Sequence, residues 1–178
     1  QDEYFVSGPD RIKDFAQQLI KAGLNVPYKA FARADLVDED SVRVMADSGC
    51  VELRFGIESG SDAMLRRVRK GFTADTALRA VTMAKRHIPG VDAFYVWGFP
   101  FETIKDFSES LFQMITLRGM GVRILPSLLT YLPQTQVYLD IEDKTKLEFC
   151  PWLLPEYMIG GMEHRSSVRV SIDKRYGG

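Results

Sequence analysis

Apolar residues recur along most of this chain at two alternating periods, short runs with a spacing of two and longer runs with the three-to-four spacing of a helix. The clearest run is Val51 to Ile57, where Leu53, Phe55 and Ile57 alternate with Glu52 and Arg54. It predicts a buried strand that ends in the polar, glycine-containing loop Glu58-Ser59-Gly60-Ser61. Ahead of it, Gln1 to Val6 reads as the end of another strand. Ser7-Gly8-Pro9-Asp10 is a helix start, with Ser7 or Gly8 as cap and Pro9 in the first turn. Ile12, Phe15, Ala16, Leu19 and Ile20 form the apolar stripe of that helix, and Gly23 ends it. Tyr28 to Arg33 is the next strand, and Asp38 caps a second helix with Val42, Met45 and Ala46 inward.

Beyond the loop, Ser61 to Val68 predicts a short helix, and Thr73 caps a longer one that buries Ala77, Leu78, Val81 and Ala84. Val91 to Trp97 is a strand rich in β-formers that ends at Gly98-Phe99-Pro100. Thr103 and Asp106 stand at capping-box spacing before a helix whose stripe is expected to be Phe107, Leu111, Met114 and Ile115. Val122 to Leu129 is a last core strand, running on to Tyr131-Leu132-Pro133. From Gln134 the rhythm is lost, and a helix and one edge strand around Val168–Ile172 are expected there. Strands that alternate with helices through short connections imply a parallel sheet with right-handed crossovers. Periodicity alone fits either an open doubly wound sheet or an arc of a barrel with helices outside.

Composition narrows the function classes. The chain has 178 residues, 26% of them charged, and a formal charge of −1, so no bulk charge draws it to nucleic acid or to an anionic membrane. No apolar run reaches spanning length, and no signal peptide is expected. Cys50 and Cys150 are the only cysteines; their spacing suggests neither a disulfide framework nor a metal knuckle, and a reducing, cytoplasmic setting is the default. His87 and His164 are the only histidines and have no second ligand nearby in sequence. The opening at Gln1, within what reads as a strand end, is read as an excised fragment or a processed product.

In a parallel sheet the strand ends on one side gather the groups that meet ligands. Those ends here carry Asp2-Glu3, Arg33-Ala34-Asp35, Glu58-Ser59-Gly60-Ser61, Gly98-Phe99-Pro100 with Glu102, and Tyr131-Leu132-Pro133. A carboxylate there accepts from an ammonium or a ribose hydroxyl, Arg33 and Lys70 are donors suited to a carboxylate, and Gly98-Phe99-Pro100 suits a flat heterocycle. Each cluster alone also fits a helix cap. The alternative reading of the set is a non-catalytic α/β module that binds a nucleotide-like ligand or serves as a scaffold.

The order Asp2-Glu3-Tyr4-Phe5, Arg33-Ala34-Asp35, Gly49-Cys50, Gly56-Ile57-Glu58-Ser59-Gly60-Ser61, Lys70-Gly71-Phe72-Thr73 and Gly98-Phe99-Pro100-Phe101-Glu102-Thr103 resembles that of radical S-adenosylmethionine enzymes. The nearest variety is the subgroup often fused to a cobalamin-binding domain. The resemblance covers roughly residues 1–138, with 139–178 as a C-terminal extension. It implies an α/β fold, a partial (β/α)6 TIM-like barrel, present here from the end of the second strand onward. It also implies a cofactor site. Asp2-Glu3 would meet the methionyl ammonium, Glu58 the ribose with Ser59 beside it, and Lys70 the methionyl carboxylate. Trp97, Gly98, Phe99 and Pro100 would pack on adenine, Tyr131 and Leu132 would add a sixth-strand contact, and Arg33 would meet a substrate or cofactor carboxylate.

The implied cofactors are S-adenosylmethionine and, in the full-length protein only, a 4Fe–4S cluster, with cobalamin in the subgroup. The implied reaction is reductive cleavage to a 5′-deoxyadenosyl radical, or methyl transfer, on a small-molecule or unknown substrate. The family's Cys-x3-Cys-x2-Cys loop is absent from this sequence, and thiolates are what such clusters require. The fragment alone is therefore expected to be inactive, without metal ligands. Phe101 replaces a glycine usual in the family, and Pro133-Gln134-Thr135 stands where Pro-Gly-Thr is common. A missing first strand would leave an unpaired sheet edge and predicts self-association.

Overall fold

The computed structural model describes residues 8–24, 26–129, 136–139, 147–149 and 168–170. In chain order these form α1 (Pro9–Lys21), β1 (Tyr28–Ala32), α2 (Glu39–Asp47), β2 (Cys50–Glu58), α3 (Asp62–Arg67), α4 (Ala74–His87), β3 (Gly90–Trp97), α5 (Ile104–Gly119), β4 (Arg123–Leu128), α6 (Gln136–Leu139), β5 (Leu147–Phe149) and β6 (Val168–Val170). The first four strands lie in one sheet in the order β1-β2-β3-β4. Pairing is parallel from β1 to β2 and from β2 to β3.

That order decides between the two arrangements left open by periodicity. A doubly wound sheet reverses its strand order partway, whereas here each strand lies beside its predecessor. Successive crossovers of one hand then place every connecting helix on the same side of the sheet. The helix-covered side is the core. Leu53, Phe55 and Ile57 of β2 pack there with Ile12 of α1, Val42 and Met45 of α2, and Ala77, Val81 and Ala84 of α4. The opposite side is the concave inner face of a partial (β/α) barrel.

The helix starts obey the capping chemistry read from the chain. Asp38 accepts from the Ser41 amide in a full capping box, Thr73 accepts from the Thr76 amide, and Thr103 and Asp106 form the expected box. Gly8 caps α1 through its backbone alone. Two apolar stripes depart from expectation. Ile20 of α1 is 51% exposed, while Ile12 and Ala16 are buried. In α5 the buried residues are Asp106, Ser110, Gln113 and Leu117, whereas Leu111 and Ile115 face outward. The helix is turned so that its polar residues meet polar loop groups, and satisfying those outweighs burying two more apolar side chains.

The chain divides into two compact units, one of residues 1–97 and 102–127, the other of 98–101 and 128–178. In the second unit β5 and β6 pair antiparallel, where a single edge strand was expected. Tyr131, Leu132, Cys150 and His164, like Asp2 and Glu3, lie outside the described residues.

Candidate functional site

Along the inner face of the sheet, side chains are layered from the N-terminal ends of the strands to their C-terminal ends. Register places Lys29 beside Glu52, Phe31 beside Arg54, Arg54 beside Asp92, and Gly56 beside Phe94. At the N-terminal end, Glu52 accepts from Lys29 Nζ at 3.1 Å and from Arg54 Nε at 2.6 Å. Asp92, its side chain 3% exposed, accepts from Arg123 Nε at 2.9 Å and also from Arg123 Nη2, and lies 3.5 Å from Arg54 Nε. Burial raises the Glu52 pKa, but hydrogen bonds and charge from Lys29 and Arg54 outweigh it, and the carboxyl is held below its usual range. Three cations thus share two carboxylates and close the barrel floor. Above them sits an aromatic layer, Phe31 and Phe94 with ring centroids 6.0 Å apart and the Arg54 guanidinium over Phe31.

The layer at the C-terminal strand ends is built differently. β2 carries a bulge between Gly56 and Glu58, where the pairing with β3 skips Ile57. Ile57 is fully buried on the helix side, and Glu58 comes next, in the left-handed region at φ 75°. A residue without glycine's freedom holds that conformation only where its surroundings impose it. Glu58 Oε1 accepts from Lys70 Nζ at 2.9 Å. The pair sits against Gly56, where an added Cβ would lie 3.1 Å from Glu58 Oε1 and 3.3 Å from Lys70 Nζ. The missing side chain of Gly56 is the space that the ion pair uses.

Lys70 is itself held from β1. Arg33 Nη2 donates to the Lys70 carbonyl at 2.8 Å, and the guanidinium grips Asp35 through Nε at 3.1 Å and Nη2 at 3.0 Å. Phe72 lies under both cations, 5.8 Å from the Arg33 guanidinium and 5.9 Å from the Lys70 ammonium. Gly71, at φ 86°, makes the turn between them and leaves 3.4 Å between its would-be Cβ and Arg33 Nη2. Arg33, Glu58 and Lys70, far apart in sequence, are therefore in one cluster, with the Lys70 and Glu58 side chains only 18% and 27% exposed.

Ser59 is beside Glu58 in sequence, but its hydroxyl is buried and bonded to Ser110 Oγ of α5 at 2.9 Å. Trp97, half-buried, lies against Phe107 with centroids 5.8 Å apart. Gly98, Phe99 and Pro100 belong to the second unit. There Gly98 has φ 87°, its would-be Cβ would come 2.8 Å from Leu128 Cδ1, and Phe99 stacks on Phe101 at 5.4 Å. Cys50 is buried, and burial pushes its thiol up to about 11, unsuited to a thiolate ligand. His87 contacts Glu39 Oε1 at 3.2 Å between α4 and α2. Among the described residues no group of three or more His, Cys, Asp or Glu is placed to hold a metal, and no helix is long and apolar enough to cross a membrane.

Sequence reasoning missed the charged floor and the serine ties to α5. The first was visible as alternation, since Glu52 and Arg54 share one face of β2 and Asp92 takes the matching face of β3. The second left only the 4-3-4 spacing of Asp106, Ser110, Gln113 and Leu117, which names no partner for them.

A one-sided parallel β/α barrel with an acid–base pair at the C-terminal strand ends is the architecture of enzymes that hold a small cofactor or substrate over the barrel mouth. The family model described as the radical SAM superfamily matches residues 8–114, and the chain belongs to that superfamily. It is 28% identical over 110 residues to the uncharacterized methyltransferase PH0819 of Pyrococcus horikoshii, covering 62% of this chain and 24% of that protein. It is 34% identical over 79 residues to a tRNA-2-methylthio-N(6)-dimethylallyladenosine synthase of Sulfurihydrogenibium, covering 42% of this chain and 18% of that one. Among solved structures it is similar to TsrM from Kitasatospora setae, a radical S-adenosylmethionine methyltransferase with cobalamin and a 4Fe–4S cluster bound. That likeness has a TM-score of 0.62 at 15% identity, over 80% of this chain and 29% of TsrM. The chain thus matches about a quarter or less of the length of these curated relatives.

Proposed function

We propose that this chain supplies the S-adenosylmethionine-holding side of a radical S-adenosylmethionine enzyme that transfers a methyl or methylthio group. The observation that carries the reading is the Glu58–Lys70 pair, set over Gly56 at the C-terminal strand ends of a barrel of this family. Lys70 offers a point charge for a carboxylate, and Glu58 an acceptor for a hydroxyl or an ammonium. S-adenosylmethionine carries all three groups, and bound there it brings the activated methyl and adenosyl groups on which the family draws. Arg33, Asp2, Glu3, Ser59 and Trp97 join the proposed set on the family pattern, and the resemblance alone assigns cofactor contacts to Gly98, Phe99, Pro100, Tyr131 and Leu132 of the second unit. The transfer chemistry in this reading comes from the names of the relatives.

The cluster does not fit this chain. Cys50 and Cys150 are its only thiols, and Cys50 is buried with its proton retained. In our reading the cluster is held by cysteines outside these 178 residues, and the chain alone does not turn over. The near-neutral charge of −1 favours a small-molecule substrate over a nucleic acid, and two cysteines without disulfide spacing favour a reducing, cytoplasmic setting.

The test is calorimetric titration with S-adenosylhomocysteine. Binding is expected, with Lys70→Met and Glu58→Gln each weakening it about tenfold, the loss of one partly exposed charge-assisted bond. Binding of adenosine nucleotides but not of S-adenosylhomocysteine or S-adenosylmethionine would instead favour a nucleotide-binding module.

A further inference from the structure

We infer that Ser110 of α5 is a positioning residue for Glu58, holding the strained backbone after β2 so that the carboxylate stays over Gly56; this rests on the reading of Glu58 as a cofactor contact. Glu58 sits at φ 75° next to a bulge, and its side chain is bonded to Lys70 Nζ, outside the loop that follows it. Ser59, Gly60 and Ser61, immediately beyond it, are each tied down. The Ser59 and Ser110 hydroxyls share a hydrogen bond at 2.9 Å, and Ser59 Oγ accepts from the Ser61 amide at 3.1 Å. The Gly60 amide donates to Ser110 Oγ at 2.9 Å. The Ser61 hydroxyl donates to Asp106 Oδ1 at 2.6 Å.

Ser110 Oγ accepts from the Gly60 amide, bonds the Ser59 hydroxyl and reaches the Asp106 carbonyl at 3.1 Å, so one hydroxyl closes the network. It is 4% exposed, and water has no ready access to replace it. Gly60 lies so close to α5 that the tie has no slack: its would-be Cβ would fall 2.8 Å from Ser110 Cα. Removing the Ser110 hydroxyl leaves the Gly60 amide and the Ser59 hydroxyl buried without that partner. The loop then gains by rotating, and the nearest strained torsion to relax is that of Glu58.

Two measurements on the whole chain decide it. In titrations with S-adenosylhomocysteine, Ser110→Ala is expected to weaken binding about tenfold in the wild-type background and less than twofold in the Glu58→Gln background. An equal loss in both backgrounds, or none in the first, would overturn the inference. If the wild type binds no S-adenosylhomocysteine, the functional reading fails by itself, and a ligand-free arm still decides the positioning. A denaturant double-mutant cycle of Glu58→Gln and Lys70→Met is expected to show coupling that vanishes in the Ser110→Ala background. Coupling of unchanged size there would refute it. Should Ser110→Ala fail to fold, Ser110→Cys, which keeps the side chain's volume and weakens its hydrogen bonds to Ser59 and Gly60, takes its place in both arms under the same criteria.

Discussion

Placing a methyl group on Gly60 tests how tightly the loop after β2 is drawn onto α5. The backbone of Gly60 is not left-handed, so alanine is conformationally acceptable there and the objection is one of space. The added Cβ would lie 2.7 Å from the Glu109 carbonyl oxygen, 2.8 Å from Ser110 Cα and 3.1 Å from Gln113 Cβ. The first two are helix backbone atoms and cannot turn aside as a side chain would. Relief requires the loop to lift by several tenths of an ångström, stretching the bonds of the Gly60 amide and the Ser59 hydroxyl to Ser110. Overpacking of this kind costs about 1–3 kcal/mol, and a weakened buried hydrogen bond about 1 more. We therefore expect Gly60→Ala to lose roughly 2–4 kcal/mol in urea unfolding and to melt about 5–15 °C lower. Gly119, at the end of the same helix, has nothing within 4 Å of its would-be Cβ. Gly119→Ala should leave stability unchanged or raise it by up to about 0.5 kcal/mol. A Gly60→Ala protein within about 0.5 kcal/mol of wild type would show that the loop has room, and the clamp argument would fall with it.

Gly56→Ala should behave in the opposite way. Its Cβ meets only the ends of the flexible Glu58 and Lys70 side chains, so stability should change by less than about 1 kcal/mol while S-adenosylhomocysteine affinity falls about tenfold; unchanged affinity would count against the site. Asp106 gives a pH dependence. Burial raises its pKa, but bonds from the Ser61 and Thr103 hydroxyls and the Thr103 amide more than offset this and hold it below the usual range. A depressed folded-state pKa contributes stability that is complete above the unfolded value of about 3.9 and is lost as pH falls through the folded value. Asp106→Asn should therefore lower stability at neutral pH and flatten its decline below about pH 4, as read by urea unfolding across pH; an unchanged acid slope would refute the assignment.

Much of the sheet was legible because burial acts on strands directly. Leu53, Phe55 and Ile57 had to alternate with Glu52 and Arg54 if one face met helices and the other did not, and the structure puts them so. Caps were legible because Asp38, Thr73 and Thr103 satisfy helix amides within three residues, a local matter. The rotation of α5 was not legible, because it depends on partners that arrive from the loop at 59–61, some fifty residues away. An apolar-stripe rule has no knowledge of those partners and prefers Leu111 and Ile115 to Ser110 and Gln113. The nearness of Lys70 to Glu58 came only through family resemblance, since twelve residues and α3 separate them in the chain. The bulge that turns Glu58 out of the strand rhythm leaves no trace in composition. Ile57 and Glu58 continue the alternation without a break.

The inner face holds two charged layers of similar composition, and their packing separates scaffold from site. At the floor, Asp92 is almost fully buried and Glu52 nearly so, each is engaged by more than one cation, and the cations bridge three strands: Lys29 from β1, Arg54 from β2, Arg123 from β4. Removing one cation there leaves a buried carboxylate short of a partner, which is the expensive way to break an ion pair. At the mouth, Lys70 and Glu58 meet through one contact, both are partly exposed, and water or a ligand group can replace either partner at little cost. A ligand must exchange with existing interactions, so it binds where that exchange is cheap. Arg54→Met should therefore destabilise by about 2–3 kcal/mol and leave S-adenosylhomocysteine affinity within about twofold of wild type. Lys70→Met should do the reverse, costing less than about 1 kcal/mol in stability and about tenfold in affinity. Urea unfolding and calorimetry on the same two variants measure both quantities. If Lys70→Met proves the more destabilising of the two, the mouth pair is structural and the assignment of floor and mouth is reversed.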